Sequence, residues 1–148
     1  MTLHVFNPEH DIALAYDNKY FTAPHAGRQL RHDLDYLPAL WAEEGDCVLV
    51  ENVNSAQQHA LRFQRYGKHV YFVNKEDVRH LSAQIDNVLP WGWDASVKFQ
   101  LGQMDVRDSI LLNNEQLADI RKLSNRQFAS VVLKELLASL SNTTLLGE

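Results

Sequence analysis

The 148-residue chain is predicted to form an α/β fold of the Rossmann-like class, with a parallel sheet of at least three strands, flanking helices and a helical C-terminal segment. Two observations predict this class. Three short apolar runs alternate with two segments of helical spacing, and the second and third runs are apolar almost throughout, as are strands covered on both faces. Because the order is strand, helix, strand, helix, strand, right-handed crossovers would make the sheet parallel.

The three predicted strands are residues 3–6, 47–51 and 69–73. Between the first two, a helix is predicted after Pro24, since proline favours the first turn of a helix. Pro38 falls inside the same apolar stripe and cannot donate a backbone hydrogen bond, so we expect a kink or two shorter helices there.

Helix caps mark the remaining helices. Asn54 is predicted to cap a helix that runs through Phe63 and stops at Gly67. Further helices are predicted over residues 76–83 and over 94–101, the latter capped by Asp94. In the tail, capping patterns typical of a helix N-terminus begin at Asn113 and again at Ser124. Two abutting helices are therefore predicted rather than one long helix.

The predicted domain organisation is a Rossmann-like α/β domain over residues 1–104 and a helical segment over 105–148. The last helix carries an apolar arc wider than a surface helix needs, formed by Phe128, Val131, Val132, Leu133, Leu136, Leu137 and Leu140. We expect this arc to pack against another surface. The helical segment is therefore interpreted as the lead-in to a missing C-terminal domain of the same protein, with a homodimer as the other possible partner.

Composition excludes several classes of protein. The formal charge is −5, with 14 Lys+Arg against 19 Asp+Glu and a pI near 5.8, which argues against a general nucleic-acid binder. The single cysteine, Cys47, needs no oxidising compartment, and no signal peptide or membrane-spanning stretch is visible. We therefore expect a cytoplasmic protein with neither a nucleic-acid nor a membrane partner.

The loop after the first strand is the richest candidate for chemistry. Asn7, Glu9, His10 and Asp11 place an amide, two carboxylates and an imidazole within five residues. Ligands of parallel sheets bind at the carboxyl ends of strands, which is where this loop would lie. The alternative is structural, because Asn-Pro opens ordinary turns and Asp11 could cap a helix.

A second segment could fold beside that loop. His25, Arg28 and Arg31 would offer donors to a carboxylate or a phosphate. In the alternative interpretation, the two arginines only pair with Asp33 or Asp35 on the solvent side. No metal site is predicted, since the chain has no His-x-x-x-His pair and no cysteine cluster.

Two tryptophans flank Gly92. Trp91 and Trp93 could form a stacking platform for a base or a sugar, but we favour a plug that closes the sheet edge over the core. Gly92, between the two rings, is free to take a positive φ. The motifs of dinucleotide cradles, P-loops and nucleophile elbows are absent from the sequence, and Cys47 inside a strand is an improbable nucleophile.

Three segments of the chain carry a resemblance to known proteins: residues 6–15 (FNPEHDIALA), 21–31 (FTAPHAGRQLR) and 89–94 (LPWGWD). Through them the chain resembles the opening of an uncharacterised family of bacterial proteins whose C-terminal half is of the ATP-grasp type. Residues 117–126 (LADIRKLSNR) are similar to the helical lead-in that joins the front domain of ATP-grasp proteins to their nucleotide-binding halves.

The resemblance implies a pre-ATP-grasp domain that binds the small-molecule substrate of a carboxylate–amine ligase and is not active alone. By the family pattern, the residues facing the shared cleft would be Asn7, Glu9, His10, Asp11, His25 and Arg28. No cofactor is expected within this chain, and ATP and Mg²⁺ are expected only for a longer protein. The alternatives are a self-contained small α/β enzyme, possibly metal-dependent, that uses the loop from Asn7 to Asp11, and a non-catalytic module that dimerises through its last helix.

Overall fold

The computed structural model describes residues 1–62 and 69–144. The chain divides into two compact units, Met1–Leu112 and Asn113–Glu148. The first unit contains a four-stranded parallel sheet of order β3-β2-β1-β4. Its strands are β1 (Thr2–Val5), β2 (Cys47–Leu49), β3 (Tyr71–Val73) and β4 (Asn87–Pro90). The Rossmann-like α/β class predicted from the sequence is therefore confirmed, with β4 as an additional strand.

Helices follow each of the strands. The first unit contains α1 (His10–Tyr16), α2 (His25–Leu34), α3 (Val53–Ala60), α4 (Lys75–Leu81) and α5 (Ala95–Gly102), and short 3₁₀ helices at Leu37–Leu40, Ser82–Gln84 and Asp108–Ile110. The predicted interruption at Pro38 is confirmed, because α2 ends at Leu34 and a 3₁₀ turn contains the proline. The predicted helix end at Phe63 and Gly67 lies outside the described residues.

The two faces of the sheet bury separate cores. One face packs against α4 and α5 through apolar residues that include Leu3, Val78 and Leu101, all fully buried. The other face packs against α3 and the 3₁₀ turn after α2, where Val48 and Ala42 are fully buried. Alternate residues of a strand point to opposite faces, which accounts for the nearly continuous apolar runs in the sequence.

Asparagine and aspartate side chains begin several of these helices. Asn74 caps α4 in a capping box with Asp77, and Asp94 caps α5 as predicted. For α3 the cap is Asn52, whose side chain accepts the Ser55 N–H at 3.0 Å. The prediction of Asn54 was wrong by two residues, because the helix already begins at Val53 and Asn54 is its second residue.

β4 is an edge strand of the described sheet and ends at Pro90. The Trp91 N–H donates to the Val5 carbonyl and so points toward β1. Because successive backbone nitrogens of a strand point to opposite sides, the nitrogen of Pro90 points away from β1. Proline is tolerated at that position because no ladder hydrogen bond is lost, and it hinders pairing of a further strand.

The second unit consists of α6 (Asn114–Leu123) and α7 (Arg126–Thr144). Asn113 caps α6 in a capping box with Gln116, as predicted. The predicted break between two helices is also confirmed, although Asn125, and not Ser124, accepts the N–H of Gln127 at the start of α7. Among the helices of residues 1–62 and 69–144, none combines the length and apolar composition needed to cross a bilayer.

Candidate functional site

A cavity of about 370 Å³ opens at the carboxyl ends of β1, β2 and β3. Parallel sheets bind ligands at this edge because the loops that follow the strands converge there. The strands and the segments that follow them contribute Val5, Phe6, Leu49, Val50, Glu51, Asn74, Lys75 and Glu76. Arg31 comes from α2, Asp35 follows that helix, and Gln100 comes from α5. An apolar floor is thus surrounded by charged side chains, the usual composition of a small-molecule site.

Beside this cavity lies a group of polar residues that we call the polar cluster: Asn7, Glu9, His10, Arg31 and Asp94. Asn7 joins the ends of β1 and β4. Its Nδ2 donates to the Gly92 carbonyl at 2.8 Å and to Asp94 Oδ2 at 3.1 Å, and its Oδ1 accepts the Gly92 N–H at 3.2 Å. Asn7 is buried, so these bonds replace the water that its amide loses on folding.

Asp94 is 1% exposed and accepts hydrogen bonds at both carboxylate oxygens. The Ser96 N–H and hydroxyl and the Val97 N–H donate to Oδ1 at 2.8, 2.6 and 2.9 Å. Burial by itself raises the pKa of Asp94, but the nearby His10 ring and the hydrogen bonds from Ser96 and Val97 outweigh it and hold the pKa below its ordinary value. Asp94 is therefore an ionised carboxylate at neutral pH.

The His10 ring faces this carboxylate. Its Nδ1 lies 3.6 Å from Asp94 Oδ2 and is buried with no hydrogen-bond partner among the described residues. Contact with Gly92 positions the ring, since a Cβ built on that glycine would overlap His10. The glycine is therefore required for this close approach. Gly92 does not use its freedom to take a positive φ, since the positive-φ residues of the described chain are Asp17, Gly45 and Asp105.

Glu9 and Arg31 form an ion pair between the start of α1 and the middle of α2. The Glu9 side chain is 4% exposed and the Arg31 side chain 26% exposed, so the pair reaches from the interior to the cavity wall. Arg31 Nε and Glu9 Oε2 are both buried without a hydrogen-bond partner among the described residues. Burial lowers the pKa of Arg31, and the nearby carboxylates of Glu51 and Asp94 oppose that shift.

The acidic residues of the cavity wall are engaged with neighbours. Glu51 Oε2 lies 2.9 Å from His32 Nδ1, and this hydrogen bond raises the pKa of the exposed His32. Asp35 accepts the Glu51 N–H at 2.6 Å, while its burial raises the pKa of its carboxyl. Glu76 pairs with Arg79 one turn later in α4.

The structure brings together three of the six predicted site residues, namely Asn7, Glu9 and His10. Asp11 and His25 are exposed, and Arg28 donates to the Ala23 carbonyl at 2.6 Å. Arg31 takes the place predicted for Arg28. The alternative pairing of the arginines with Asp33 or Asp35 was wrong, because Arg31 pairs with Glu9 while Asp33 accepts from Gln29.

Asp94 was predicted only as a helix cap, and its position opposite the first loop was missed. The sequence did contain one sign of this contact. Gly92 lies two residues before Asp94, and a glycine can mark a place where another segment of the chain approaches closely. The predicted tryptophan plug is correct for Trp93, which is partly buried against the core, and wrong for Trp91, which is 61% exposed. Trp91 instead contacts Phe6 edge-on and lies near Trp41.

A second buried polar contact lies where β2 begins, away from the polar cluster. His4 Nε2 lies 3.0 Å from Asp46 Oδ2, and the Thr2 N–H donates to Asp46 Oδ1 at 2.9 Å. Burial alone would raise the pKa of Asp46, but these hydrogen bonds lower it. The neighbouring Cys47 is buried, which raises the pKa of its thiol. These contacts hold β1 to β2 and present no open surface to a ligand.

Within the described part of the chain, no group of three or more His, Cys, Asp or Glu side chains is arranged to hold a metal ion. The candidate site is therefore the strand-end cavity together with the polar cluster, with Arg31 belonging to both. Comparisons with protein-family models, with curated proteins and with solved structures each find no match to this chain.

Proposed function

We propose that this chain is the substrate-binding α/β domain of a larger, ATP-grasp-type carboxylate–amine ligase-like protein and is not active alone. The observation that supports the substrate-binding role is the cavity at the ends of three parallel strands, with Arg31 held in its wall by the buried Glu9. The resemblance of residues 6–15, 21–31 and 89–94 supports the ligase assignment.

In this proposal the residues of the chain bind and orient a substrate and do not handle nucleotide. The ion pair between Glu9 and Arg31 fixes the guanidinium before the ligand arrives, which reduces the ordering cost of binding. ATP and Mg²⁺ would be bound by a further domain of the same protein, because the sequence contains no P-loop or dinucleotide cradle.

The first test is the reading frame beyond the codon for Glu148. The proposal expects it to continue into a glycine-rich, lysine-bearing segment. The product of the complete frame is then melted with and without millimolar ATP and Mg²⁺, and we expect the nucleotide to raise the melting temperature by mass action. A frame that stops at Glu148, or an unchanged melting temperature, would contradict the ligase assignment.

A second candidate is a dimerising interaction module, which the surface of α7 favours. Its exposed apolar residues are Val131, Leu133, Leu136, Leu137 and Leu140. Burying such a face against a second copy would remove apolar surface from water. Light scattering on the wild-type chain and on Leu136→Asp tests this candidate, since a dimer mass that the variant reduces to the monomer supports it, and an unchanged mass excludes pairing through α7.

A further inference from the structure

We infer that the strand-end cavity binds an anionic oxygen group, a carboxylate or a phosphate, between Arg31 and Lys75. This inference rests on the proposed substrate-binding function and names the chemical class of its ligand. The two residues enter the cavity from different elements, since Arg31 belongs to α2 and Lys75 begins α4 beyond the end of β3.

The acids of the cavity wall have their own partners. Glu51 is paired with His32, Glu76 with Arg79, and Asp35 accepts a backbone N–H. A cationic ligand would have to compete with these contacts for each carboxylate. The three carboxylates of the wall should therefore attract a cationic ligand less strongly than three unpaired carboxylates would.

The two bases, in contrast, have donors to spare. Arg31 uses a terminal nitrogen on Glu9, while its Nε is buried and lacks an acceptor among the described residues. No described side chain forms an ion pair with the Lys75 ammonium, which is on an exposed residue. Nε itself is inaccessible, so a ligand oxygen would meet the Lys75 ammonium and the accessible part of the Arg31 side chain, which is 26% exposed.

The geometry also limits the rest of the ligand. A volume of about 370 Å³ suits a small molecule, and its floor is formed by Val5, Phe6 and Leu49. We therefore expect a small acid or phosphate ester with a short apolar body above the ends of β1 and β2. Guanidinium and ammonium groups bind both kinds of anion, so the experiment must distinguish carboxylate from phosphate.

The test is a titration of the ¹⁵N-labelled 148-residue chain, followed through the backbone amides of Glu51, Asn74 and Lys75. Four probes are compared at constant ionic strength: inorganic phosphate, succinate, chloride and ethylammonium. We expect saturable shifts with phosphate or succinate and none with chloride, and the tighter of the two anions identifies the class of ligand group.

Variants then locate the binding. Lys75→Gln is expected to raise the Kd about tenfold, since a charge-assisted contact is lost. Arg31→Lys keeps the charge opposite Glu9 but removes the planar fork, and should weaken binding to a similar extent, about tenfold. Arg28→Gln, three residues earlier in the same helix and outside the cavity wall, is the control and should leave the Kd unchanged.

Three results would overturn the inference. Anion shifts that Lys75→Gln and Arg31→Lys leave unchanged would place the binding elsewhere. Shifts with ethylammonium alone would show a cation site, so that the substrate-binding proposal stands while the anion assignment fails. If none of the four probes shifts the cavity amides, the anion assignment fails as well, and only the reading-frame and ATP tests then bear on the proposed function.

Discussion

His10 lies directly against Gly92, although 82 positions separate them, and this contact turns His10 Nδ1 toward the buried Asp94. The glycine is the meeting point of two loops, one after β1 and one after β4. A side chain at residue 92 would occupy the space of the imidazole ring. The polar cluster therefore depends on the lack of a side chain at residue 92 as well as on its charged groups.

Gly92→Ala should displace the His10 ring and destabilise the protein by about 2 kcal/mol, because overpacking forces side chains or backbone to shift. Gly102→Ala is the matched control, since a Cβ there meets nothing within 4 Å. That substitution, at the end of α5, should be neutral or stabilise by up to about 1 kcal/mol. Urea unfolding measures both, and equal effects would show that the contact with His10 is unimportant.

Arg31→Gln should cost about 3 kcal/mol of folding free energy, because it leaves the buried carboxylate of Glu9 without a counter-charge. Arg28→Gln removes a guanidinium from the same helix. That guanidinium donates to the Ala23 carbonyl, and its loss should cost less than about 1 kcal/mol. Denaturant midpoints of the two variants measure the difference. Comparable losses would mean that the pair with Glu9 contributes little.

Much of the fold is encoded locally and could be predicted. The apolar runs around Val48 and Phe72 are typical of strands covered on both faces. The caps at Asn74, Asp94 and Asn113 are hydrogen bonds to backbone N–H groups two or three residues later, so local sequence is enough to indicate them. β4 was missed because it is a short edge strand that ends in proline and buries only Val88 fully. Its pairing with β1 is a long-range contact that no local pattern records.

The candidate site, like the fold, could be predicted from the sequence only in part. Asn7, Glu9 and His10 lie in one loop, so the location of that loop after a strand was sufficient to nominate them. Arg28 and Arg31 are three residues apart and so are neighbours on one side of α2. Local sequence therefore does not show which of the two arginines reaches Glu9. Asp94 joins the cluster only through tertiary packing, and its role as a helix cap was the part that local sequence could reveal.

Asp94→Asn should destabilise the protein by about 2 kcal/mol at pH 7. The amide oxygen can still accept from Ser96 and Val97, but it is uncharged, and the amide nitrogen cannot accept from Asn7 Nδ2 as Oδ2 does. The folded-state pKa of Asp94 lies below its unfolded value, so its contribution is complete above about pH 4 and is lost as the pH falls through the folded pKa. The deficit of the variant should therefore shrink in acid. Urea unfolding at several pH values measures it, with the exposed Asp119→Asn as control.

Asp35→Asn should show the opposite pH dependence. Burial raises the folded-state pKa of Asp35, so its contribution to stability is present below the unfolded pKa and is lost as the pH rises through the folded pKa. The amide oxygen of asparagine can still accept the Glu51 N–H. The stability of the variant relative to wild type should consequently rise between about pH 4 and pH 7. Parallel curves over that range would contradict the raised pKa.

The two tryptophans around Gly92 should differ in their contribution to stability. Trp93 packs against the core that α4 and α5 cover, so Trp93→Ala should cost about 3 kcal/mol through lost burial and the cavity left behind. Trp91 is 61% exposed and makes an edge contact with Phe6, so Trp91→Ala should cost about 1 kcal/mol. Chemical denaturation of each variant measures the two losses. Equal losses would mean that the exposure of Trp91 does not reduce its contribution to stability.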